Sequence, residues 1–318
     1  MAHIAIIGAG PAGSLCARVL ADSGHTVSVL DKGRGAGGRL STRRRGAAHF
    51  DHGAQFLTLR SPELAPYAAG WRSAGALAPW EGPFGTLGAD GFRASDPPDP
   101  RWVGVPGMSG LVKAIQGDLP VQFGVRASKV EGTTVHLEDG SRREGFDRVV
   151  VAAPAPQAAA LVEGPLSEAL GAVRFAPCLV ALLDLGADRD LGFAAARVGD
   201  GPLGWVARNQ TKPGRPAGEH LVLHATPAWS REHLEEDPAA SATMLWAALQ
   251  RLVPGLTGAQ PTHFGAHRWR YALVEQPVGQ PFLRDGDVFA CGDGLLGGRI
   301  EDALLSGKAA AEAVLASL

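Results

Sequence analysis

The sequence predicts an α/β fold in two domains, and three observations carry it. The first 31 residues run from a short apolar stretch through a glycine-rich turn and a helix-period segment into a second apolar stretch. A comparable stretch, Asp287 to Cys291, leads through Gly292-Asp293-Gly294 into a helical carboxyl end. The chain has 318 residues. At roughly 150 residues per domain, the intervening chain is long enough to bury a core of its own.

The amino-terminal unit is the most informative. His3 to Ile7 reads as a buried strand. Gly8-Ala9-Gly10-Pro11-Ala12-Gly13 follows, and Ser14 to Ser23 carries Leu15, Val19 and Leu20 at helical spacing before Gly24. Thr26 to Leu30 is the second strand, ending at Asp31. This is a βαβ unit with GxGxxG at its first turn, the Rossmann-type fingerprint for a dinucleotide. Gly8 permits the tight turn. Gly10 lets a diphosphate approach the backbone, and Gly13 lets helix and strand pack closely. The helix N-terminus, with Pro11 and Ala12, offers N–H groups and partial positive charge to the phosphates. Asp31 accepts from ribose hydroxyls, which disfavours a 2′-phosphate and hence NADP at this place; Lys32 lies beside it.

The residues after Asp31 bear on which dinucleotide. Asp31-Lys32-Gly33-Arg34-Gly35-Ala36-Gly37-Gly38-Arg39 and Phe50-Asp51-His52-Gly53-Ala54-Gln55-Phe56 resemble the flavin-containing amine oxidase superfamily. The resemblance implies FAD and a Rossmann-type domain of the glutathione-reductase-2 / amine oxidase kind. It places Gly38 and Arg39 at the pyrophosphate, and Gln55 and Phe56 beside the isoalloxazine. Ala127 would hold the adenine through its backbone, in a strand running from Val121. Gly292 and Asp293 would meet the ribityl chain, and the Ile300 N–H would meet flavin O2. A helix beginning there stabilises charge at that edge of the ring. Members with covalent flavin carry a cysteine in the segment matching Arg268 to Pro277. None stands there, so non-covalent FAD is expected. Val105 to Leu111 resembles the family's glycine-led helix, continuing to Gln116.

Further stretches resemble the renalase-like branch: Asn209-Gln210-Thr211-Lys212-Pro213-Gly214-Arg215, His224 to Ser230, and His267-Arg268-Trp269-Arg270-Tyr271-Ala272. The implied activity is oxidation of 2- and 6-dihydro isomers of NAD(P)H to NAD(P)+, with electrons passing to O2 to give H2O2. Hydride leaves a ring carbon and no O–H or N–H proton must be removed, so positioning matters more than a general base. No catalytic side chain is therefore expected. The candidates for the substrate cavity are Trp269, Tyr271, Asn209, Lys212, His224 and His267. Lys212 and Arg215 are read either as contacts to substrate phosphate or ribose or as an exposed basic loop. Two alternatives stay open: a flavin amine oxidase or dehydrogenase, and a flavin-bearing binding protein without turnover.

The FAD domain is expected to comprise residues 1–60, 104–155 and 282–318, and an α+β substrate domain residues 61–103 and 156–281. In the latter, Leu179 to Leu185, Pro202 to Arg208 and His220 to Ala225 read as strands. Ala239 to Leu252 reads as an amphipathic helix with Met244, Leu245, Ala248 and Leu249 in the core. Arg43-Arg44-Arg45 is read as a solvated loop in preference to a phosphate clamp, and Cys291 as a small buried hydrophobe. A net charge of -2 gives no support for nucleic acid or a charged membrane surface as partner. No apolar run approaches the roughly 18 residues of a membrane helix, and Met1-Ala2-His3 lacks a basic leader. Three widely spaced cysteines give neither a disulfide framework nor a metal site. The expected location is the cytoplasm, and the expected partners are a small dinucleotide substrate and O2.

Overall fold

The computed structural model describes residues 1–96, 99–199 and 201–318. A six-stranded sheet holds the ends of the chain together. Its order is Leu283–Asp285, Val288–Ala290, Arg148–Val151, His3–Ile7, Thr26–Asp31 and Val121–Phe123. All neighbours are parallel except the first pair. The first strand sits in the middle, with Ile6 beside Val29 on one side and Val150 on the other. Parallel strands covered on both faces read as continuous apolar runs, as the inner strands do; the edge strands Leu283–Asp285 and Val121–Phe123 are largely exposed.

The strand alternation divides those residues between two layers. Ile4 and Ile6 face the helices Pro11–Asp22 and Ile300–Leu315, packing on Cys16, Leu20, Ala310 and Val314. Ala5 and Ile7 face a small antiparallel sheet, Ala127–Glu131, Thr134–Leu137 and Arg142–Arg143, through Val130 and Val135. The two helices touch backbone to backbone: a Cβ on Gly307 would stand 2.2 Å from the Ala12 oxygen. Cys291 is buried in this layer. The strand expected from Val121 to Ala127 is two strands, because the chain turns at Gly124 (φ +74°) and enters the second sheet at Ala127.

A seven-stranded sheet forms the other core. Its order is His263–Gln276, Arg174–Asp184, His220–Ala225, Leu203–Arg208, Ala195–Val198, Phe84–Gly88 and Gly91–Ala94. Helix Pro238–Leu252 covers its outer face, capped by the Asp237 carboxylate on Ala239 N–H at 3.1 Å. Leu245, Ala248 and Leu249 are buried there. Met244 is not: it is 38% exposed. At 100° per residue it leaves the stripe that Ala242, Leu245 and Leu249 define, and Trp246 takes the volume expected of it. The arginine run is also corrected. Thr42–Arg45 is a strand, paired with Ala48–Asp51 in a hairpin laid against the second sheet. No helix of the described residues is long and apolar enough to cross a membrane.

Candidate functional site

The nucleotide end fits the cofactor that its motifs imply. Helix Pro11–Asp22 begins without a side-chain cap and with no acid in its first turn, so its N-terminal field is open to an anion. A Cβ on Gly10 would meet nothing within 4 Å, leaving a hollow above that turn. Asp31 closes the other side. Its two carboxylate oxygens accept from the Ala9 and Gly33 N–H groups, each at 2.6 Å. Each oxygen keeps a lone pair for a ribose hydroxyl. Lys32 turns away to Gln157, donating at 2.6 Å.

Arg39 and Asp293, 254 residues apart, meet in a bidentate pair with both N···O distances 2.6 Å. The Gly37-Gly38 turn and the Gly292 turn therefore converge on one point. The Arg39 charge is matched by Asp293, so the pair brings directed hydrogen bonds to this place rather than net charge. The last helix begins at Ile300, as expected. Its first turn holds Glu301 and Asp302, with Asp302 accepting from the Arg299 N–H at 3.0 Å and Glu301 from the Ser61 N–H at 2.6 Å. These acids offset part of the dipole expected at that end.

The segment Asp51 to Phe56 crosses between the two sheets. Gly53 lies so close to Arg39 that a Cβ would stand 2.0 Å from the Arg39 oxygen; Ala54 N–H donates to that oxygen at 2.9 Å. Asp51, fully buried, anchors the segment. Its Oδ1 accepts from Thr42 Oγ1 at 2.7 Å and from the Met108 N–H at 3.0 Å, capping helix Met108–Gln116 from afar. Its Oδ2 accepts from Arg215 Nη2 at 2.6 Å and Lys212 Nζ at 3.1 Å. Burial alone would raise this carboxyl, but the two cations and the hydrogen bonds outweigh it and hold it well below the usual range. Burial lowers Lys212 to about 8, against the pull of Asp51 and with the push of Arg215.

This arrangement corrects two expected wall residues. The Lys212 side chain has no exposed surface and neither has that of Arg215; neither forms an exposed basic loop. Asn209 is likewise buried, its Oδ1 accepting the Asp51 N–H at 2.8 Å. A buried cation needs a buried carboxylate, and these residues serve the Asp51 segment from behind. Lys212 also donates to Gln55 Oε1 at 3.0 Å. That fixes the Gln55 amide, whose Nε2 then donates to the Gly53 oxygen at 2.9 Å and lies 3.5 Å from His224 Nε2. Phe56 joins Trp80 and Trp205 under the Arg101 guanidinium, 4.8 Å from its ring.

The edge strand His263–Gln276 presents His267 and Trp269 at alternate positions, hence on one face; Tyr271 lies beyond Trp269, where the ladder to Arg174–Asp184 is irregular. Trp269 stacks on His52 with ring centroids 5.2 Å apart, and its indole N–H donates to the His52 oxygen at 2.8 Å. His267 meets both rings edge-on. Tyr271 meets Phe175, which lies under Arg39. Burial, then His267 and Arg43, lowers His52 to about 3. Burial and Lys212 lower His224 to about 4, and burial with Arg43 lowers His267 to about 4. All three imidazoles are neutral at physiological pH. Ala127 opens the small antiparallel sheet, beside a bulge before Lys129.

The sequence and the fold both have counterparts in known proteins. Residues 90–315 match the flavin containing amine oxidoreductase family. The chain belongs to that family. Residues 6–70 match the NAD(P)-binding Rossmann-like domain. Within the family the chain is similar to renalase of Mus musculus, at 24% identity over 327 residues and 92% of each chain. Its fold is that of cyclohexylamine oxidase from Brevibacterium oxydans, with a TM-score of 0.77, 14% identity and 99% of each chain covered. An oxidoreductase from Methanosarcina mazei aligns at a TM-score of 0.71 and 15% identity, over 98% of this chain and all of that one. As a family member, this protein is a flavin-dependent oxidoreductase.

Residues that sequence reasoning missed as individuals are Asp51, His52, Arg43 and Arg101. Asp51 and His52 lie inside a stretch singled out for its resemblance, and the Lys212 to Arg215 stretch was singled out too. What joins them is a pairing 161 residues apart in sequence, which no spacing rule displays.

Proposed function

We propose that this protein is an FAD-dependent oxidase that converts isomeric dihydronicotinamide dinucleotides, 2- and 6-dihydroNAD(P), to NAD(P)+. The observation that carries the reading is the wall formed by His52, His224, His267 and Trp269. It is aromatic, and its imidazoles carry no charge near neutral pH. Such a wall suits a flat ring that gives up hydride from carbon, where no heteroatom proton moves. A bound flavin would supply the hydride acceptor and the route by which the electron pair leaves on O2 as H2O2. The side chains' work is to stack the ring, fix its face and exclude water. An amine substrate would enter as an ammonium, and the Arg43 cation beside His267 disfavours it. Similarity to renalase along 92% of both chains supports the same reading. FAD is held without a covalent bond in this proposal, since no cysteine lies in the 268–277 segment.

The test is anaerobic mixing of the yellow enzyme with 2-dihydroNAD, 6-dihydroNAD and a panel of primary amines, followed at the flavin band. Rapid bleaching by the dihydronicotinamides and none by amines is expected. Bleaching by amines alone overturns the reading. Under air, H2O2 in excess over enzyme excludes a binding protein without turnover.

A further inference from the structure

The hairpin Thr42–Asp51 carries charge that the protein does not neutralise. Arg43 and Arg45 share one face of its first strand, by alternation. Arg34, from the loop after Asp31, lies close enough to Arg43 to act on it electrostatically, as does Arg45. Among the described residues no carboxylate forms an ion pair within 4.0 Å of any of the three. In a chain of net charge -2, two arginines on one strand face, with a third acting on Arg43 from a neighbouring loop, are not a consequence of general basicity. Like charges gathered this way are unfavourable unless an anion joins them.

Arg43 ties the cluster to the aromatic wall. It is half-buried, and Nη1 donates to the Ala266 oxygen at 3.1 Å while Nη2 lies 3.0 Å from His267 Nδ1. Guanidinium groups only donate, so His267 accepts at Nδ1 and carries its proton on Nε2. That nitrogen is buried and has no hydrogen-bond partner among the described residues. His267 packs on Trp269 and His52. A ring held against Trp269 therefore has, one residue further along this face, an N–H donor and then a group of guanidinium forks. Guanidinium is the side chain that binds phosphate oxygens bidentately.

We propose that Arg43 and Arg45, with Arg34 beside them, form a subsite for the diphosphate of a dinucleotide substrate whose nicotinamide ring lies at the Trp269–His52 wall. The inference rests on the proposed function for the ring, but the subsite's own ligand is the diphosphate. It separates a phosphorylated substrate from a small amine by charge at the entrance.

The test uses the oxidised holoenzyme and ADP-ribose, which has the diphosphate and lacks the nicotinamide. Binding is measured by calorimetry for the wild type, Arg45→Gln, and Arg43→Gln/Arg45→Gln. Arg142→Gln, exposed on the small antiparallel sheet, is the control. ADP-ribose binding is expected to weaken at least tenfold in the double variant and severalfold in Arg45→Gln, to fall with added salt in the wild type, and to stay the same in the control. The loss of dihydronicotinamide turnover is expected in KM. Wild-type ADP-ribose affinity in both variants overturns the subsite, as does loss of FAD from them, which would assign the arginines to the cofactor. If ADP-ribose binding falls as expected and no dihydronicotinamide isomer bleaches the flavin, the subsite stands and the substrate reading fails. If the isomers are oxidised with unchanged KM in the variants, the substrate reading stands and the subsite fails.

Discussion

Arg215 donates to Asp51 across 2.6 Å, with neither side chain reaching the surface. Lys212 reaches the same carboxylate oxygen, so one buried acid faces two buried bases. The contact fastens the Asp51-to-Phe56 segment, which touches Arg39, to a loop of the seven-stranded sheet. Because the charges are unequal, the three residues have unequal roles. Asp51→Asn leaves two cations buried without a counter-charge, and breaking a buried pair from one side costs about 3–5 kcal/mol. A marked fall in thermal midpoint with loss of flavin is expected. Lys212→Met leaves a matched Asp51–Arg215 pair and strands only Gln55 Oε1, at about 1–3 kcal/mol. Thermal melts of the two variants side by side check the order; equal damage would show that the charge imbalance is not what governs this cluster.

Asp31 carries a second prediction. Its oxygens hold the Ala9 and Gly33 N–H groups and face the sugar of the cofactor as we read it. Hydrogen bonds to a charged group contribute about 1.5–3 kcal/mol each, so Asp31→Ala is expected to weaken FAD at least tenfold. Flavin fluorescence on reconstitution of the apoprotein measures it. Acid precipitation of the wild type should send all the yellow colour into the supernatant; colour retained in the pellet would show a covalent link.

Legibility in the sequence followed distance along the chain. The βαβ unit, the Gly292-Asp293 turn and the last helix are each written within about thirty residues, where glycine placement and apolar period act locally. Met244 was misplaced because one apolar residue off the stripe looks like its neighbours until Trp246 fills the volume. Lys212 and Asn209 are expected on the cavity wall because their stretch resembles that of relatives. Their partner Asp51 is remote, and burial reversed their expected position. Trp269 and Tyr271 are legible through the resemblance of their segment, but the ring on which Trp269 stacks is not.

That stack gives a third prediction. Trp269 is half-buried, so Trp269→Ala should fall short of the roughly 3–5 kcal/mol of a core truncation while removing the plane against His52. Slower anaerobic flavin reduction and a higher substrate requirement are expected, at near-normal FAD content. Trp269→Phe keeps an aromatic plane and loses only the N–H bond to the His52 oxygen, so it should recover most of the rate. A lowered thermal midpoint with native reduction kinetics in Trp269→Ala would remove the indole from the site.

The three neutral imidazoles set the acid limb of stability. A free histidine titrates near pH 6.5, whereas His52 is held to about 3 and His224 and His267 to about 4. Between these values the unfolded chain binds protons that the folded chain refuses. The folded state is therefore fully favoured above pH 6.5 and loses that advantage as pH falls toward 4. The thermal midpoint should drop by about 5 °C or more over this window. His267→Gln removes one such proton site while keeping an acceptor for Arg43, so its midpoint should vary less with pH than the wild type's. Melts of both proteins at intervals from pH 4 to 8 make the comparison. Parallel curves would mean that His267 titrates alike in the folded and unfolded chains, and the neutral wall would then need another explanation.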